Sequence, residues 1–161
     1  MLSVLHHMGS SYTDINTHII FHTKDISPVM KEEDLSRIFH YIGGIIRALH
    51  AHVYMVGGRP DHIHILASLP VSMSLSDYVR KIKSNSSRWM KSLGPDYKDF
   101  AWQEGYGAFS VSSSNKDAVI QYIQNQKGHH QNRSAQDEYR LFLSKHGFTY
   151  DAANARIVKP D

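Results

Sequence analysis

One segment limits the possible folds more than any other. The turn sequence Gly57-Gly-Arg-Pro60 is followed almost at once by the alternating run His62-Ile-His-Ile-Leu-Ala-Ser68. Glycine and proline in such a cluster are typical of a tight turn, and a period of two is typical of a half-buried β-strand. We therefore predict a strand over residues 62–68 with one face against a hydrophobic core.

Two histidines share one face of this predicted strand. Side chains two residues apart leave a strand on the same side, so His62 and His64 stand together while Ile63 and Ile65 face the core. Two imidazoles held side by side can bind one metal ion. The pattern alone is a weak signal, because a chain with 12 histidines should contain roughly one His-x-His by accident. The pair at positions 50 and 52 is interpreted as that accident.

Composition places the chain among ordinary globular proteins. It has 161 residues, 41% of them hydrophobic and 20% charged, with no apolar run long enough to span a membrane. The absence of cysteine excludes disulfides and thiolate metal sites and agrees with a cytoplasmic location. A net charge of +3 and a pI near 9.1 favour a polyanionic partner without identifying one.

The length and the lack of internal repeats predict one folded domain over residues 12–150. Residues 1–11 follow no periodicity and are expected to be a leader, either disordered or left over from cloning. Residues 151–161 are expected to be a C-terminal tail.

Hydrophobic periodicity predicts the remaining elements. Strands are predicted over residues 13–24, 52–56, 100–104 and 108–111, and helices over residues 31–49, 74–93, 116–127 and 134–146. The order β-α-β-β-α-β predicts an α+β fold, a ferredoxin-like (RRM-like) antiparallel sheet with helices on one face and an additional tyrosine-bearing helix towards the C-terminus. The opposite face, with the two histidines, is predicted to be open for a site.

Local signals refine the helices. The pair Gly43-Gly44 lies inside the first predicted helix, where glycine is unfavourable, so we expect close approach of a neighbouring backbone there. Three helix starts carry the capping pattern Ser-x-x-Asp, in which a hydroxyl accepts from free backbone N–H groups. These pairs are Ser74/Asp77, Ser114/Asp117 and Ser134/Asp137.

The helix predicted over residues 116–127 carries the second candidate pair, Tyr122 and Gln126. Four residues apart, they are neighbours on one helical face. A tyrosine can act as a covalent nucleophile, and a glutamine oxygen can complete a metal shell begun by two imidazoles. The residues alone allow a plainer interpretation, in which Tyr122 ends a packing stripe with Val119 and Ile123 and Gln126 faces solvent.

Four segments in this order resemble the single-tyrosine HUH transposases of the two-hundred and six-hundred-and-five insertion-sequence groups. They are residues 60–64 (Pro-Asp-His-Ile-His), 81–89, 102–110 and 122–130, the last beginning Tyr-Ile-Gln-Asn-Gln. The resemblance runs from about Tyr12 to Tyr150, so residues 12–150 would be the HUH transposase catalytic domain.

The resemblance implies a site and a reaction. His62 and His64 would be metal ligands, Gln126 the third ligand and Tyr122 the nucleophile. Such enzymes use Mg²⁺ or Mn²⁺ to cut single-stranded DNA at hairpin-flanked element ends, leave a 5′-phosphotyrosine and a 3′-hydroxyl, and rejoin strands by the reverse reaction. They act as homodimers, often with the tyrosine helix of one subunit serving the other. Imidazole ligands by themselves favour Mn²⁺ over Mg²⁺.

Basic side chains could hold the DNA strand, although each of them could equally be an ordinary solvated charge. The candidates are Arg80, Lys81, Lys83, Arg88, Lys91, Lys127 and Arg133. The aromatic residues available for base stacking are Trp102, Tyr106 and Phe109. No base that would ionise Tyr122 is identifiable, and Asp61 and Glu104 are only guesses.

Other functions remain open from the sequence. A different HUH endonuclease, such as a replication initiator, a relaxase or a domesticated repeat-processing enzyme, would use the same chemistry. A non-catalytic nucleic-acid-binding module would need exposed aromatic residues on its sheet, where this chain offers histidines. A metallohydrolase activating water at His62 and His64 would form no covalent adduct with DNA.

Overall fold

A computed structural model describes residues 12–127, 135–151 and 156–159. Its contacts divide the chain into two compact units, the first ending at Gln124 and the second beginning at Asn125. The expected leader, the predicted cap Ser134 and the candidate Arg133 lie outside the described residues. In the part of the chain that is described, no helix is long and apolar enough to cross a membrane.

The first unit contains a four-stranded antiparallel sheet with the strand order β2-β3-β1-β4. The strands are β1 (Asn16–His22), β2 (Val53–Arg59), β3 (His62–Ser68) and β4 (Gly107–Val111). The helices are α1 (Leu35–Ala48), α2 (Leu75–Lys91) and α3 (Lys116–Gln124). The chain order β1-α1-β2-β3-α2-β4 confirms the predicted ferredoxin-like α+β fold.

The hydrophobic core lies between the sheet and the helices α1 and α2. Ile63, Ile65 and Ala67 of β3 belong to it, as the alternation predicts, and so do Ile19 and Phe21 of β1. The helices supply residues at helical spacing, each removed entirely from solvent: Ile38, Ile42, Ile46, Val79, Ile82 and Met90. Burial of each large apolar side chain contributes about 1.5–3 kcal/mol to folding. The apolar residues of α1 and α2 therefore recur at helical spacing, because that spacing puts them all on the face that meets the sheet.

The opposite face of the sheet is partly covered rather than open. Ile123 of α3 packs against Leu66 of β3 and Val111 of β4, with Val119 and Ile120 beside them. The apolar stripe of α3 has to be removed from water, and this sheet face is the surface on which it packs. The prediction of an open face is therefore wrong where α3 lies on it.

The strand predicted over residues 100–104 does not form. Only an isolated bridge joins Thr23 to Trp102, and two backbone hydrogen bonds, from Lys24 N–H to Ala101 O and from Gln103 N–H to His22 O, continue the edge of β1. Phe100 and Trp102 give the segment its strand-like alternation because both are buried in the core. The alternation of these residues therefore reflects their packing in the core and does not indicate a hydrogen-bonded strand.

Gly43 and Gly44 do not meet a neighbouring backbone. A Cβ at Gly43 would lie 3.4 Å from the Arg47 guanidinium, and one at Gly44 would meet nothing within 4 Å. Among the predicted caps, Ser74 is confirmed, because its hydroxyl accepts the Asp77 N–H at 3.1 Å. Ser114 instead lies within a 3-10 turn, and α3 begins at Lys116.

In its described residues the second unit contains a 3-10 turn, one helix and two short strands. The 3-10 turn spans Asn125–Lys127, and α4 spans Ala135–Lys145, close to its predicted bounds. The strands β5 (Thr149–Asp151) and β6 (Arg156–Val158) pair antiparallel. No strand is predicted for either segment, and β6 lies within the expected tail.

Two buried tyrosines allow a matched test of stability. The Tyr97 hydroxyl accepts the Lys31 N–H at 2.9 Å and donates to the Asp34 carboxylate at 2.7 Å. The Tyr78 hydroxyl is fully buried and has no hydrogen-bond partner among the described residues. We expect Tyr97→Phe to lower the free energy of unfolding by about 1–3 kcal/mol, and Tyr78→Phe to leave it equal or higher, as measured by urea denaturation. Equal losses in both variants would contradict this.

Tyr97 also makes the stability of the protein depend on pH. Burial, together with the Asp34 carboxylate, raises the pKa of Tyr97 to about 12, against about 10 in an unfolded chain. The stabilisation is therefore complete below pH ~10 and is lost as the pH rises through the folded-state pKa. Tyr97→Phe should show a shallower alkaline loss of stability than the wild type.

Candidate active site

Four imidazoles converge on the sheet face away from α1 and α2. His62 lies directly opposite His22 across the β1–β3 ladder, and His64 lies opposite Ile20. The ring centroids of His62 and His64 are 5.1 Å apart with their planes at 82°. The Nε2 atom of His18 lies 3.0 Å from Nδ1 of His64. His18 and His22 were not predicted to take part, although the alternation of β1 places both on this face.

Each of the two predicted histidine ligands has a contact at its Nδ1 atom. His62 Nδ1 lies 2.8 Å from the Asp61 carboxylate, and His64 Nδ1 contacts His18. Contacts of this kind fix the ring orientation and the tautomer of a histidine, and Nε2 is then the atom that carries the metal-binding lone pair. Both rings are only 2% exposed, so their orientations are fixed by packing as well.

The surroundings of His64 favour its uncharged form. Burial, followed by the positive charges that His18, His62 and His22 would carry, holds the pKa of His64 well below its usual value. At neutral pH the His64 ring is therefore uncharged, the form that binds a cation. Burial raises the pKa of Asp61, but the hydrogen bond and charge of His62 outweigh it and the pKa lies below its usual value. Asp61 thus has an orienting contact to His62 rather than the raised basicity of a general base.

Tyr122 on α3 lies over the histidines. Its ring centroid is 5.6 Å from that of His64 at 85°, and 6.2 Å from that of His18 at 73°. Three of the residues predicted from the sequence, His62, His64 and Tyr122, therefore meet within one chain. The packing interpretation also applies in part, because Tyr122 is half-buried beside the cluster around Ile123.

The close packing of α3 on the sheet depends on Gly57. This residue lies within β2 rather than in the predicted turn, and a Cβ there would be 2.7 Å from Cγ2 and 3.2 Å from the carbonyl oxygen of Ile123. The helix therefore rests on bare backbone one residue from Tyr122. Gly58 has a φ of +150°, which L residues rarely adopt. The glycines that look like turn residues thus have separate structural roles.

We expect Gly57→Ala to lift α3 from the sheet and displace Tyr122. The clash should lower the free energy of unfolding by about 1–3 kcal/mol. Misplacement of a reacting group by about 1 Å commonly costs about 10²-fold in rate, so the DNA cutting that the resemblance implies should fall on that scale. Thermal unfolding and a gel assay of DNA cutting measure the two effects.

Gly105→Ala is the matched control, because a Cβ at Gly105 would meet nothing within 4 Å. A Gly57→Ala protein that cuts as fast as Gly105→Ala would contradict this account of how α3 is seated.

Gln126 lies in the 3-10 turn Asn125–Lys127 of the second unit, and its side chain is buried. The prediction of one continuous helix through residue 127 is wrong, because α3 ends at Gln124. The role of Gln126 as third ligand stays a prediction. Within the described residues no group of three His, Cys, Asp or Glu could hold a metal ion, and the predicted set contains only two residues of those types, His62 and His64.

The predicted DNA contacts divide into different environments. Five of them lie on α2, namely Arg80, Lys81, Lys83, Arg88 and Lys91. Lys127 closes the 3-10 turn of the second unit. Arg80 pairs with Asp77 at 2.8 Å, whereas Arg88 and Lys91 are exposed.

Lys83 holds a loop rather than facing solvent. Its ammonium donates to the carbonyls of Gln103, Glu104 and Gly105, and burial lowers the pKa of Lys83. Glu104, one of the guessed bases, is an exposed residue of that loop.

The three aromatic candidates are also placed differently. Trp102 is 8% exposed and donates its indole N–H to Ser86 Oγ at 2.9 Å, so it is a core residue and unsuited to base stacking. Tyr106 is half-buried against the same core. Phe109 lies opposite His18 in the β1–β4 register, which puts it on the histidine face.

Comparison with known proteins identifies the family and the fold. Residues 11–126 match the family model described as "Transposase IS200 like". The ISDra2 transposase TnpA of Deinococcus radiodurans is 29% identical over 72 residues, which cover 42% of this chain and 51% of that protein. The chain therefore aligns with about half the length of this curated relative.

Two solved structures share the fold. A candidate transposase from Deinococcus radiodurans R1 matches with a TM-score of 0.56 and 24% identity, over 73% of this chain and 95% of that chain. A REP-associated tyrosine transposase bound to a REP hairpin matches with a TM-score of 0.55 and 16% identity, over 76% and 74% of the two chains.

Proposed function

This chain belongs to the IS200-like transposase family, and from that premise we propose that it cuts and rejoins single-stranded DNA at hairpin-flanked ends through a tyrosyl-DNA intermediate. The observation that carries the proposal is the contact between the Tyr122 and His64 rings, whose centroids are 5.6 Å apart. Tyr122 and the two candidate metal ligands are therefore close to each other, which supports one shared site.

The histidine pair suits a divalent cation. Both rings are buried, both are held at Nδ1, and burial keeps His64 neutral at physiological pH. His62 and His64 would hold the ion through Nε2, with Gln126 as the third ligand. Bound Mg²⁺ or Mn²⁺ would supply charge neutralisation at the phosphate oxygens. Three neutral ligands leave that charge undiminished, and imidazole makes Mn²⁺ the tighter binder.

The proposed reaction is a reversible exchange of esters. The Tyr122 oxygen attacks the phosphorus, and its hydroxyl proton is lost as the new O–P bond forms. The bond from phosphorus to the 3′-oxygen breaks, and that oxygen takes up a proton to become a 3′-hydroxyl. The 5′-phosphate stays joined to Tyr122, so a 3′-hydroxyl can attack it later and rejoin the strands without ATP.

The ring contact supports a site built within one chain. We propose that Tyr122 acts with the histidines of its own subunit. The homodimer stays an implication of the resemblance, and mixing two inactive variants tests whether subunits share the site. The proposed substrate is hairpin-bearing single-stranded DNA. The proposed role of the reaction is cut-and-rejoin transposition, and the proposal includes no membrane partner.

One assay tests this function directly. The protein is incubated with hairpin-bearing single-stranded DNA and Mn²⁺, denatured, and examined for a protein–DNA adduct whose peptide mass places the nucleotide on Tyr122. A cut strand without an adduct would point to a metallohydrolase. Binding without cutting on any hairpin substrate would point to a non-catalytic DNA-binding module. Either result would overturn the proposal.

His18 is expected to position His64 for the metal. Replacing His18 with Phe removes the contact at His64 Nδ1, and loss of such a partner typically weakens metal affinity about 10–100-fold. Titration of Mn²⁺ followed by electron paramagnetic resonance measures this without DNA. His18→Gln, whose amide oxygen can accept from His64 Nδ1–H, should restore much of the affinity. A purely structural role would give equal losses in both variants.

A further inference from the structure

A partly exposed aromatic pair lies on the surface of the helices α1 and α2. The rings of Tyr41 on α1 and Trp89 on α2 are stacked, with centroids 4.0 Å apart and planes at 6°. Tyr41 is 37% exposed and Trp89 is half-buried. Parallel aromatic rings at a surface present a flat apolar face to any planar ligand.

A groove of about 540 Å³ opens beside this pair, lined by Arg37, His40, Tyr41, Gly44, Ile45 and Trp89. Gly44 explains why the groove is open. A Cβ there would meet nothing within 4 Å, so the glycine serves no close contact despite its cost to an α-helix. A larger side chain at residue 44 would instead project into the groove.

The two helices beside the groove carry mainly basic side chains, and the acidic turn Glu32–Asp34 precedes the start of α1. Helix α1 contains Arg37 and Arg47 and no acidic residue. Helix α2 contains five basic residues, and its one acidic residue, Asp77, pairs with Arg80. The Arg37 guanidinium carbon lies 5.4 Å from the centroid of the Trp89 ring, and Arg37 has no carboxylate partner among the described residues. A cation beside a stacked aromatic pair matches a phosphate beside a base.

We propose that this groove, named the Tyr41–Trp89 groove, binds a nucleotide of a single DNA strand. The base stacks at the aromatic pair and its phosphate contacts Arg37. The inference rests on the proposed function, because it takes the same substrate class. The groove lies on the helix side of the sheet and the histidines lie on the other face, so it is an anchor separate from the cutting site.

A second copy of the chain is the less favoured occupant. Symmetric pairing of this surface would bring two copies of the basic helices α1 and α2 together, and their acidic groups are limited to the turn before α1 and to Asp77, which pairs with Arg80. Like charges at such an interface oppose association, whereas a DNA strand supplies the opposite charge.

The test measures binding of fluorescein-labelled oligo(dT) by anisotropy in EDTA, where no cutting occurs. Tyr41→Ala and Gly44→Leu should each weaken binding about tenfold, the scale of losing one base stack. Tyr12→Ala, which alters a tyrosine that is 92% exposed, and Gly44→Ala, which adds one methyl group, are matched controls expected to bind within about twofold of the wild type. Circular dichroism checks the fold of each variant.

Tryptophan fluorescence gives a local readout. The chain has 2 tryptophans, and Trp102 is buried in the core, so quenching on DNA binding should come from Trp89. Trp89→Phe keeps an aromatic ring for stacking, so it should lose the quenching while its affinity stays within about twofold.

Three results would overturn the inference. They are wild-type affinity in both Tyr41→Ala and Gly44→Leu, quenching that persists in Trp89→Phe, and a change from dimer to monomer by sedimentation in the groove variants, which would identify a second copy as the occupant. The covalent-adduct assay separates this from the proposed function. Groove binding without an adduct rejects only the tyrosine chemistry, and an adduct with unaltered groove variants rejects only the groove.

Discussion

Tyr122→Phe should abolish the covalent adduct and reduce cutting of hairpin-bearing DNA by at least ~10⁴-fold, the scale of removing an enzyme's nucleophile. The change removes one oxygen atom and keeps the ring beside His64 and His18. The packing of Ile123 on Leu66 and Val111 is untouched, so the free energy of unfolding should change little. The loss is therefore chemical, and DNA affinity in EDTA should stay at the wild-type value.

Tyr54→Phe is the matched control for this variant. Tyr54 packs around the same cluster on the same sheet face, and its hydroxyl is 3.4 Å from the Lys116 ammonium. This control should cut like the wild type. Residual adduct in Tyr122→Phe, at any other residue, would contradict the assignment of the nucleophile.

Mixing variants tests whether subunits share a site. If Tyr122 acts with the histidines of its own chain, a mixture of Tyr122→Phe and His64→Ala proteins stays inactive, since no chain carries both parts. Recovery of cutting in the mixture would show that the tyrosine helix of one subunit serves the other.

His64→Ala is the second change with a large expected effect. Loss of a direct ligand should weaken Mn²⁺ binding by more than ~100-fold, because even the loss of a residue that only orients a ligand costs about 10–100-fold. Cutting should fall by about 10³-fold or more, as the phosphate loses its charge neutralisation. Calorimetric titration of Mn²⁺ and the gel assay measure the two losses, and EDTA should stop cutting by the wild-type protein.

The other His-x-His pair supplies the control. His50 and His52 are exposed, and neither takes part in the histidine cluster. Replacing both with alanine should leave Mn²⁺ affinity and cutting unchanged. Because His64 is buried, His64→Gln should be made alongside the alanine variant so that a cavity is not mistaken for a lost ligand. Wild-type Mn²⁺ affinity in both His64 variants would remove the imidazole pair from the metal site.

Much of the fold could be predicted because the periods are local. The alternation of β1 and β3 and the helical spacing in α1 and α2 are written in consecutive residues, and they place His62 and His64 on the correct face. The motif that begins at Tyr122 then predicts that the third helix contributes to the same site. These features depend on spacing within a segment, which a sequence displays directly.

The missed features are contacts between distant segments. His18 meets His64 only because of the β1–β3 register, and Gly57 matters because Ile123 of α3 packs on it. Residues 100–104 resemble a strand because Phe100 and Trp102 alternate into the core, yet only an isolated bridge forms. Register and packing height depend on the folded chain, so spacing alone does not predict them.

Ile123 rests on the bare backbone of Gly57, and that seat has a mechanical consequence. A helix supported by a side chain can settle or rise as the side chain changes rotamer, but one supported by main-chain atoms has no such freedom. The distance between Tyr122 and the imidazoles should therefore change little. Differences between substrates would then have to be accommodated by the side chains around the imidazoles rather than by a shift of α3.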